Sequence, residues 1–429
     1  MRRQTLVLRL FRLACSDASR FKEFSNFLIN TIKSVNSKTH VIVEDSKVVI
    51  CEDSQCSKNV TLRYSGRLNL SYSSKDLLKL VTSIVVKFLA TDGVKKIVLL
   101  FKENSDGKYV KVSNVLKPCE GLSIKLAAHA PTISFLISII VALLIVTLYN
   151  SVLLSLAVAT MSSALATMLF TGVLMSRLHA LELTGCRLLK VEIWYSHTVP
   201  ESRINALLRL LRRFDVVENP VEQIRTVTET LLGEYLVKVR YCQVEVKDPV
   251  KAILSRRKVR LLLVNAENPE AFSLVVPLVC RCIVLTSKLV ALLENEELQA
   301  VIAHELGHIV NRDHVNCLLL TMLNAVIVYG LYIAVIRLGL PLVYGFTIFT
   351  TYVMSVILLV RYLSRRAEIR ADRYAIGVVG PLSLIMALIR VAWKSLIAEL
   401  NSYFTYLISK AFSSHPPVID RLRLAVAML

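Results

Sequence analysis

Between Lys125 and Arg177 lie 51 consecutive residues without an Asp, Glu, Lys or Arg. One helix of that length would measure about 76 Å, against a hydrocarbon core of roughly 30 Å. Two crossings turning near Tyr149-Asn150-Ser151 fit better. A second uncharged pair follows, Val315 to Ile336 and Leu338 to Val360, parted only by Arg337. Gly339 and Pro341 suit a tight turn at that join. The chain is therefore expected to carry four transmembrane helices in two hairpins, with a buried core helix pair as the alternative for either.

Composition agrees. Of 429 residues, 54% are hydrophobic, 20% are charged and the mean hydropathy is +0.56, which excludes a disordered chain. Thirteen Gly and 11 Pro exclude a collagen-like one. The net charge of +20 would suit a nucleic-acid partner or a membrane protein obeying the positive-inside rule. Lys125, Arg177, Arg312, Arg361, Arg365 and Arg366 flank the apolar runs, whereas the short turns carry only Arg337. That asymmetry favours a multi-pass cell-membrane protein with its bulk facing the cytoplasm, and no nucleic acid is expected. Met1-Arg2-Arg3 leads into a charged stretch and not a secretory signal. Nine scattered cysteines then read as mostly reduced thiols, Cys51 and Cys56 being the one pair close enough for a local bridge.

The expected class is a mainly α membrane protein with a zincin-like cytoplasmic catalytic domain and a small α+β N-terminal domain. Residues 1–125 mix strand-like runs (41–43, 48–50, 97–100) with helical stretches near 17–34 and 74–90, and hold no catalytic motif. Their basic surface suits solvent or lipid headgroups better than nucleic acid. Residues 126–176 form the first hairpin, 177–314 a cytoplasmic catalytic segment, 315–360 the second hairpin, and 361–429 a tail.

The chemistry lies in His304-Glu305-Leu306-Gly307-His308. On a helix, residues four apart share a face, so both imidazoles can hold one Zn²⁺ per chain, with Glu305 beside them as general base. Asn295 suits the N-cap, Glu296 and Glu297 the first turn, and Leu298, Val301, Ile302, Leu306 and Ile309 an apolar face. The competing reading is a surface His/Glu pair without metal.

A catalytic zinc needs a third protein ligand. His308 lies seven residues before Val315, and Glu368 eight residues after Val360. If both helices run straight out of the bilayer, each carries its ligand roughly 10–12 Å above the apolar boundary. Asp372, four residues beyond Glu368, would then orient an imidazole. On spacing alone Glu368 is equally an i,i+4 salt-bridge partner within Arg365–Arg370.

Ser364-Arg365-Arg366-Ala367-Glu368-Ile369-Arg370-Ala371-Asp372 resembles the Glu-x-x-Ala-Asp segment of HtpX-like membrane zinc metallopeptidases, relatives of the CAAX prenyl proteases. The approach Leu285-Thr286-Ser287 through His304 and the tail His415-Pro416-Pro417-Val418-Ile419-Asp420-Arg421 are similar to that family too. The resemblance covers about 177–429 and the first hairpin. It implies His304, His308 and Glu368 as zinc ligands and Glu305 as general base and acid. It also implies roles for His415 and Arg421 at the transition state or in regulation. The family's Asn-Ala-Phe substrate strand reads Glu270-Ala271-Phe272 here, so backbone pairing at Ala271 and Phe272 can survive while contacts from the Asn position are lost.

Together these readings predict a zinc endopeptidase cleaving peptide bonds at the cytoplasmic membrane face. The resemblance implies misfolded membrane proteins as substrates, in quality control, and leaves room for a homo-oligomer. An intramembrane protease is disfavoured by Glu294, Glu296, Glu297, Arg312 and Asp313 around the motif. The rival from another class is a non-catalytic membrane scaffold recruiting lipid or a partner.

Overall fold

The computed structural model describes residues 3–35, 39–44, 46–52, 55–65, 68–91, 94–116, 180–196, 198–276, 280–413 and 415–429. The expected first hairpin, 126–176, lies outside the described residues. The chain opens with helices α1 (Arg3–Ala14) and α2 (Ala18–Val35). An antiparallel meander follows: β1 (His40–Glu44), β2 (Lys47–Cys51), β3 (Asn59–Tyr64) and β4 (Leu68–Tyr72). Cys51 is disulfide-bonded to Cys56 in the β2–β3 connection. Then come α3 (Lys75–Thr91), β5 (Lys95–Glu103), β6 (Tyr109–Lys111) and the single turn α4 (Val112–Val115).

Beyond the undescribed stretch lie β7 (Leu181–Glu182), β8 (Leu188–Tyr195), α5 (Glu201–Leu211), β9 (Val216–Val217), α6 (Pro220–Leu232) and β10 (Leu236–Val244). Next are α7 (Asp248–Arg257), β11 (Arg260–Val264), β12 (Ala271–Val276), β13 (Cys280–Thr286) and α8 (Ser287–Leu292). The remainder is helical: α9 (Asn295–Val310), α10 (Asp313–Arg337), α11 (Leu342–Val379), α12 (Pro381–Asn401), α13 (Tyr403–Phe412) and α14 (Val418–Ala427).

Two further sheets have the strand orders β10-β8-β5-β6-β9 and β12-β13-β11-β7. Helix predominates among the described residues, while segment 177–314 supplies seven strands, two of them only two residues long. The N-terminal part is not a separate body. Its β5 pairs with β8 from beyond residue 180, in register from Lys95–Tyr195 to Lys102–Leu188. Helix α3 packs on α12, and Arg9 of α1 donates to the Val426 carbonyl of α14. One apolar core runs through α1, α2, α3, α9, α12 and α14, so the described residues on the two sides of the undescribed stretch share it.

Strand β8 is buried along its whole length. Its odd-numbered side chains, Leu189, Val191, Ile193 and Tyr195, join Leu207, Leu211, Ile224 and Leu232 beneath α5 and α6. The even-numbered ones carry charge inward, a placement tolerated only when every partner is met. Lys190 Nζ lies 2.8 Å from Glu192 Oε1 and donates to the Leu293 carbonyl at 2.7 Å. Trp194 Nε1 donates to Glu192 Oε2 at 3.1 Å, and Lys96 Nζ lies 3.4 Å from Oε1. This cluster fastens the second sheet to the residues just ahead of α9.

Helices α10 and α11 form a helical hairpin over the stretch 315–360, turning through Leu338–Pro341 with Gly339 at φ +56°. A Cβ on Gly345 would lie 2.9 Å from Val335 Cγ1, and the Tyr352 hydroxyl donates to Asn324 Oδ1 at 2.5 Å, so the two helices touch both near the turn and midway along. Leu319, Leu323, Phe346, Met354 and Leu358 point outward and exposed, a surface suited to lipid and not to water. Among the described residues, two helices are long and apolar enough to cross a membrane, Val343–Val379 and Pro381–Asn401. The second is a core helix, with Leu384, Ile385, Arg390, Leu396 and Glu399 buried.

The expectation of two straight rods holds on one side only. Helix α11 runs unbroken from the uncharged stretch ending at Val360 through Glu368 and Asp372 to Gly380, at φ +89°. Between α9 and α10 the chain breaks at Arg312, whose backbone is left-handed at φ +56°.

Candidate metal centre

The motif helix α9 is held firmly at its start. Glu294, not Asn295, is its N-cap, in a reciprocal box with Glu297, whose Oε2 accepts from the Glu294 amide at 2.9 Å. Asn295 instead donates to the Gln243 carbonyl at 2.8 Å. Buried Arg390 of α12 reaches Glu297 Oε1 at 3.0 Å and Glu294 Oε1 at 3.6 Å, while Arg240 of β10 meets Glu294 Oε2 at 3.2 Å. Anions at a helix N-terminus are favoured by its dipole, and two cations bind them in turn.

Helix α9 crosses α11 closely. A Cβ on Gly307 would fall 2.9 Å from Ala371 Cα, so only glycine fits inside the motif at this height. The close approach brings His304 Nε2 to 3.4 Å from Glu368 Oε2 and His308 Nε2 to 3.6 Å from Glu368 Oε1. One ligand atom from each of the three lies within 4.8 Å of the others. A tetrahedral zinc bound at 2.0–2.1 Å has ligand–ligand edges of about 3.4 Å. Both Nε2 atoms face the carboxylate because both Nδ1 atoms are engaged behind: His304 Nδ1 by Asp372 Oδ1 and His308 Nδ1 by Asp313 Oδ2, each at 2.9 Å. Two imidazoles oriented by carboxylates and one buried carboxylate make a donor set that fits Zn²⁺. Glu305 is 8% exposed beside them.

Asp372 is also gripped by Arg421, Nε to Oδ2 at 2.8 Å and Nη2 to Oδ1 at 2.7 Å. Arg421 Nη1 lies 3.8 Å from Glu368 Oε2, and His415 Nδ1 approaches Glu368 Oε1 to 2.9 Å. Both tail residues therefore reach the centre. Burial would raise the Asp372 carboxyl, but the Arg421 charge and hydrogen bonds bring it down to about 2. Burial would lower His304, but hydrogen bonds to Asp372 and Glu368 lift it to about 9. Glu368 is opposed by burial and held well below its ordinary range by His304, His415 and Arg421. The carboxylates stay anionic, as a cation site requires.

Ala271 and Phe272 open β12, the outer strand of its sheet, which packs beside α9. The Glu270 amide donates to Thr286 Oγ1 at 3.0 Å, and Ser273 Oγ lies 3.1 Å from His314 Nε2. As the outer strand beside α9, β12 has one edge unpaired within its own sheet.

Residues 243–428 match the model of peptidase family M48. That segment, 186 of the 429 residues, is similar to M48 peptidases. The chain is similar to "Protease HtpX homolog 2" of Methanosarcina mazei, 29% identical over 197 residues that cover 40% of this chain and 67% of that one. It is also similar to the crystal structure of S. mikatae Ste24p, at 20% identity and a TM-score of 0.32, covering 52% of this chain and 62% of that chain. This chain thus spans less than two thirds of the Ste24p chain.

Within the matched segment, sequence reasoning missed Asp313 and Gly307. Asp313 follows His308 by five residues, a spacing that points away on an unbroken helix; only the left-handed turn at Arg312 folds it back. Arg370 Nη2 then fixes Asp313 Oδ1 at 2.7 Å. Nothing in the sequence marks that break. Gly307 was open to reading, since a glycine inside a helical motif has a cost that close packing must offset.

Proposed function

We propose that this chain is a membrane-embedded zinc endopeptidase that cleaves polypeptides at the cytoplasmic face of the membrane, with misfolded membrane proteins as substrates in quality control. The observation that carries the reading is the convergence of His304, His308 and Glu368 ligand atoms within 4.8 Å, inside the segment matched to the M48 peptidases and beside the long apolar stretch of α11. When bound, zinc supplies Lewis acidity and acidifies an attacking water toward neutral pKa. Glu305 takes the proton and returns it to the leaving amine. Arg421 and His415 lie on the Glu368 side, where their donors can meet negative charge developing on the scissile carbonyl. Strand β12 aligns the substrate by backbone pairing at Ala271 and Phe272. The charge asymmetry around the apolar runs supports the cytoplasmic orientation.

The test is zinc content and casein cleavage by the purified full-length chain and its Glu305→Gln variant, each with and without chelator. The expected result is about one zinc per chain in both, with cleavage falling at least ~100-fold in the variant and vanishing with chelator in the wild type. Undiminished, chelator-insensitive cleavage by the variant would overturn the assignment.

A further inference from the structure

Helix α13 packs on α12 along one side, with Tyr406 in the apolar core. Its inner side is fixed by polar contacts: the Tyr406 hydroxyl donates to Asp420 Oδ2 at 3.1 Å, and Ser409 Oγ donates to Glu399 Oε1 at 3.1 Å. Its outer side carries Tyr403, Phe404, Leu407 and Ile408, exposed by 62%, 71%, 41% and 43%. Those positions recur at i, i+1, i+4 and i+5, one continuous stripe of a 3.6-residue helix. Lys410 lies in the last turn, and its carbonyl accepts from Arg365 Nη1 of α11.

That last contact sets the height. Arg365 lies five residues beyond Val360, the end of the uncharged part of α11, or about 7.5 Å along the helix. The C-terminus of α13 is therefore level with the headgroup zone above the hairpin, the height of Arg361, Arg365 and Arg366 on α11. Aromatic and aliphatic side chains with cations beside them, at the edge of a lipid-facing hairpin, match the chemistry of an interfacial helix. Four side chains fall well short of the roughly 20–30 residues a side of a standard protein interface, which disfavours a second copy as the cover of this stripe.

We propose that α13 docks into the surface of an anionic bilayer, its Tyr403, Phe404, Leu407 and Ile408 stripe seated among the acyl chains just below the headgroups. This rests on the membrane placement of α10 and α11. It also gives the bilayer a mechanical link to the site. Glu399, bound by Ser409 of α13, accepts the amides of Val418 at 3.2 Å and Ile419 at 3.1 Å. The tail that delivers His415 and Arg421 is thus positioned by a helix resting on lipid.

The test uses the full-length chain in phosphatidylcholine–phosphatidylglycerol vesicles, plain or with acyl chains brominated near the glycerol end. Phe404→Trp adds an indole to the stripe, Phe349→Trp adds one to the exposed side of α11, and the wild type with Trp194 and Trp393 gives the background. The extra emission of Phe404→Trp is expected to be largely lost in brominated vesicles, as is that of Phe349→Trp. Loss for Phe349→Trp with none for Phe404→Trp would overturn the docking and leave the hairpin in the membrane. No loss for either would remove the membrane placement and the docking with it. Emission from Phe404→Trp that resists bromine but shifts with protein concentration would assign the stripe to a second copy, also overturning the proposal.

Discussion

Asp313 and Gly307 carry the lesson at the scale of single residues. His304, Glu305 and His308 were readable as a unit because helix geometry alone puts them on one face. Asp313 was not, because its contact with His308 depends on a left-handed residue at Arg312 that no local signal requires. An Asp313→Ala variant should weaken zinc binding about 10–100-fold, read by competition with a chromophoric chelator, since loss of an orienting carboxylate has that size of effect. An unchanged affinity would leave Asp313 a mere partner of Arg370. Gly307→Ala puts a methyl group 2.9 Å from the Ala371 backbone, which cannot rotate away as a side-chain tip would. The expected cost is about 1–3 kcal/mol of stability, together with lowered zinc occupancy, because the same crossing that clashes also sets the distance from His308 to Glu368. Thermal unfolding and metal analysis on one preparation check both.

Whole elements mislead in a different way. Strand β8 reads Leu-Leu-Lys-Val-Glu-Ile-Trp-Tyr, and its alternation of apolar and charged residues has the look of a strand wet on one face. It is dry on both, because Lys190 and Glu192 neutralise each other against the Leu293 carbonyl. Periodicity reports which residues share a face and is silent on what covers that face. The pairing has a consequence for acid stability. Burial alone would raise Glu192, but Lys190, Lys96 and Trp194 draw it down from 4.5 to about 2. A carboxyl depressed in the folded state contributes fully above pH 4.5 and loses that contribution as pH falls toward 2. Apparent melting temperatures should therefore drop across that window more steeply in the wild type than in Glu192→Gln, while at neutral pH the variant should be destabilised by about 3–5 kcal/mol for leaving Lys190 buried and unpaired. Parallel melting curves through the window would contradict the assignment. The hairpin α10–α11 and the motif helix, by contrast, were legible, since length without charge and a four-residue repeat are properties of one segment at a time.

On the scale of the molecule, the division of the chain at residue 125 did not foresee that β5 would sit between β8 and β6. Long-range strand pairing leaves no trace in composition, whereas the lipid-facing surface of a hairpin does. That one pairing has a topological consequence. Residues 95–103 and 188–195 are neighbours in a single sheet, so the two ends of the intervening chain lie in the same compartment. Any bilayer it meets on the way is traversed an even number of times, whatever route it follows. The parity carries over to the α10–α11 turn, since α9 and the far end of α11 meet at the ligands. A reporter fused ahead of α1 and another placed after α14 must then register the same side of the membrane, and a protease-protection assay that found them on opposite sides would be incompatible with this fold.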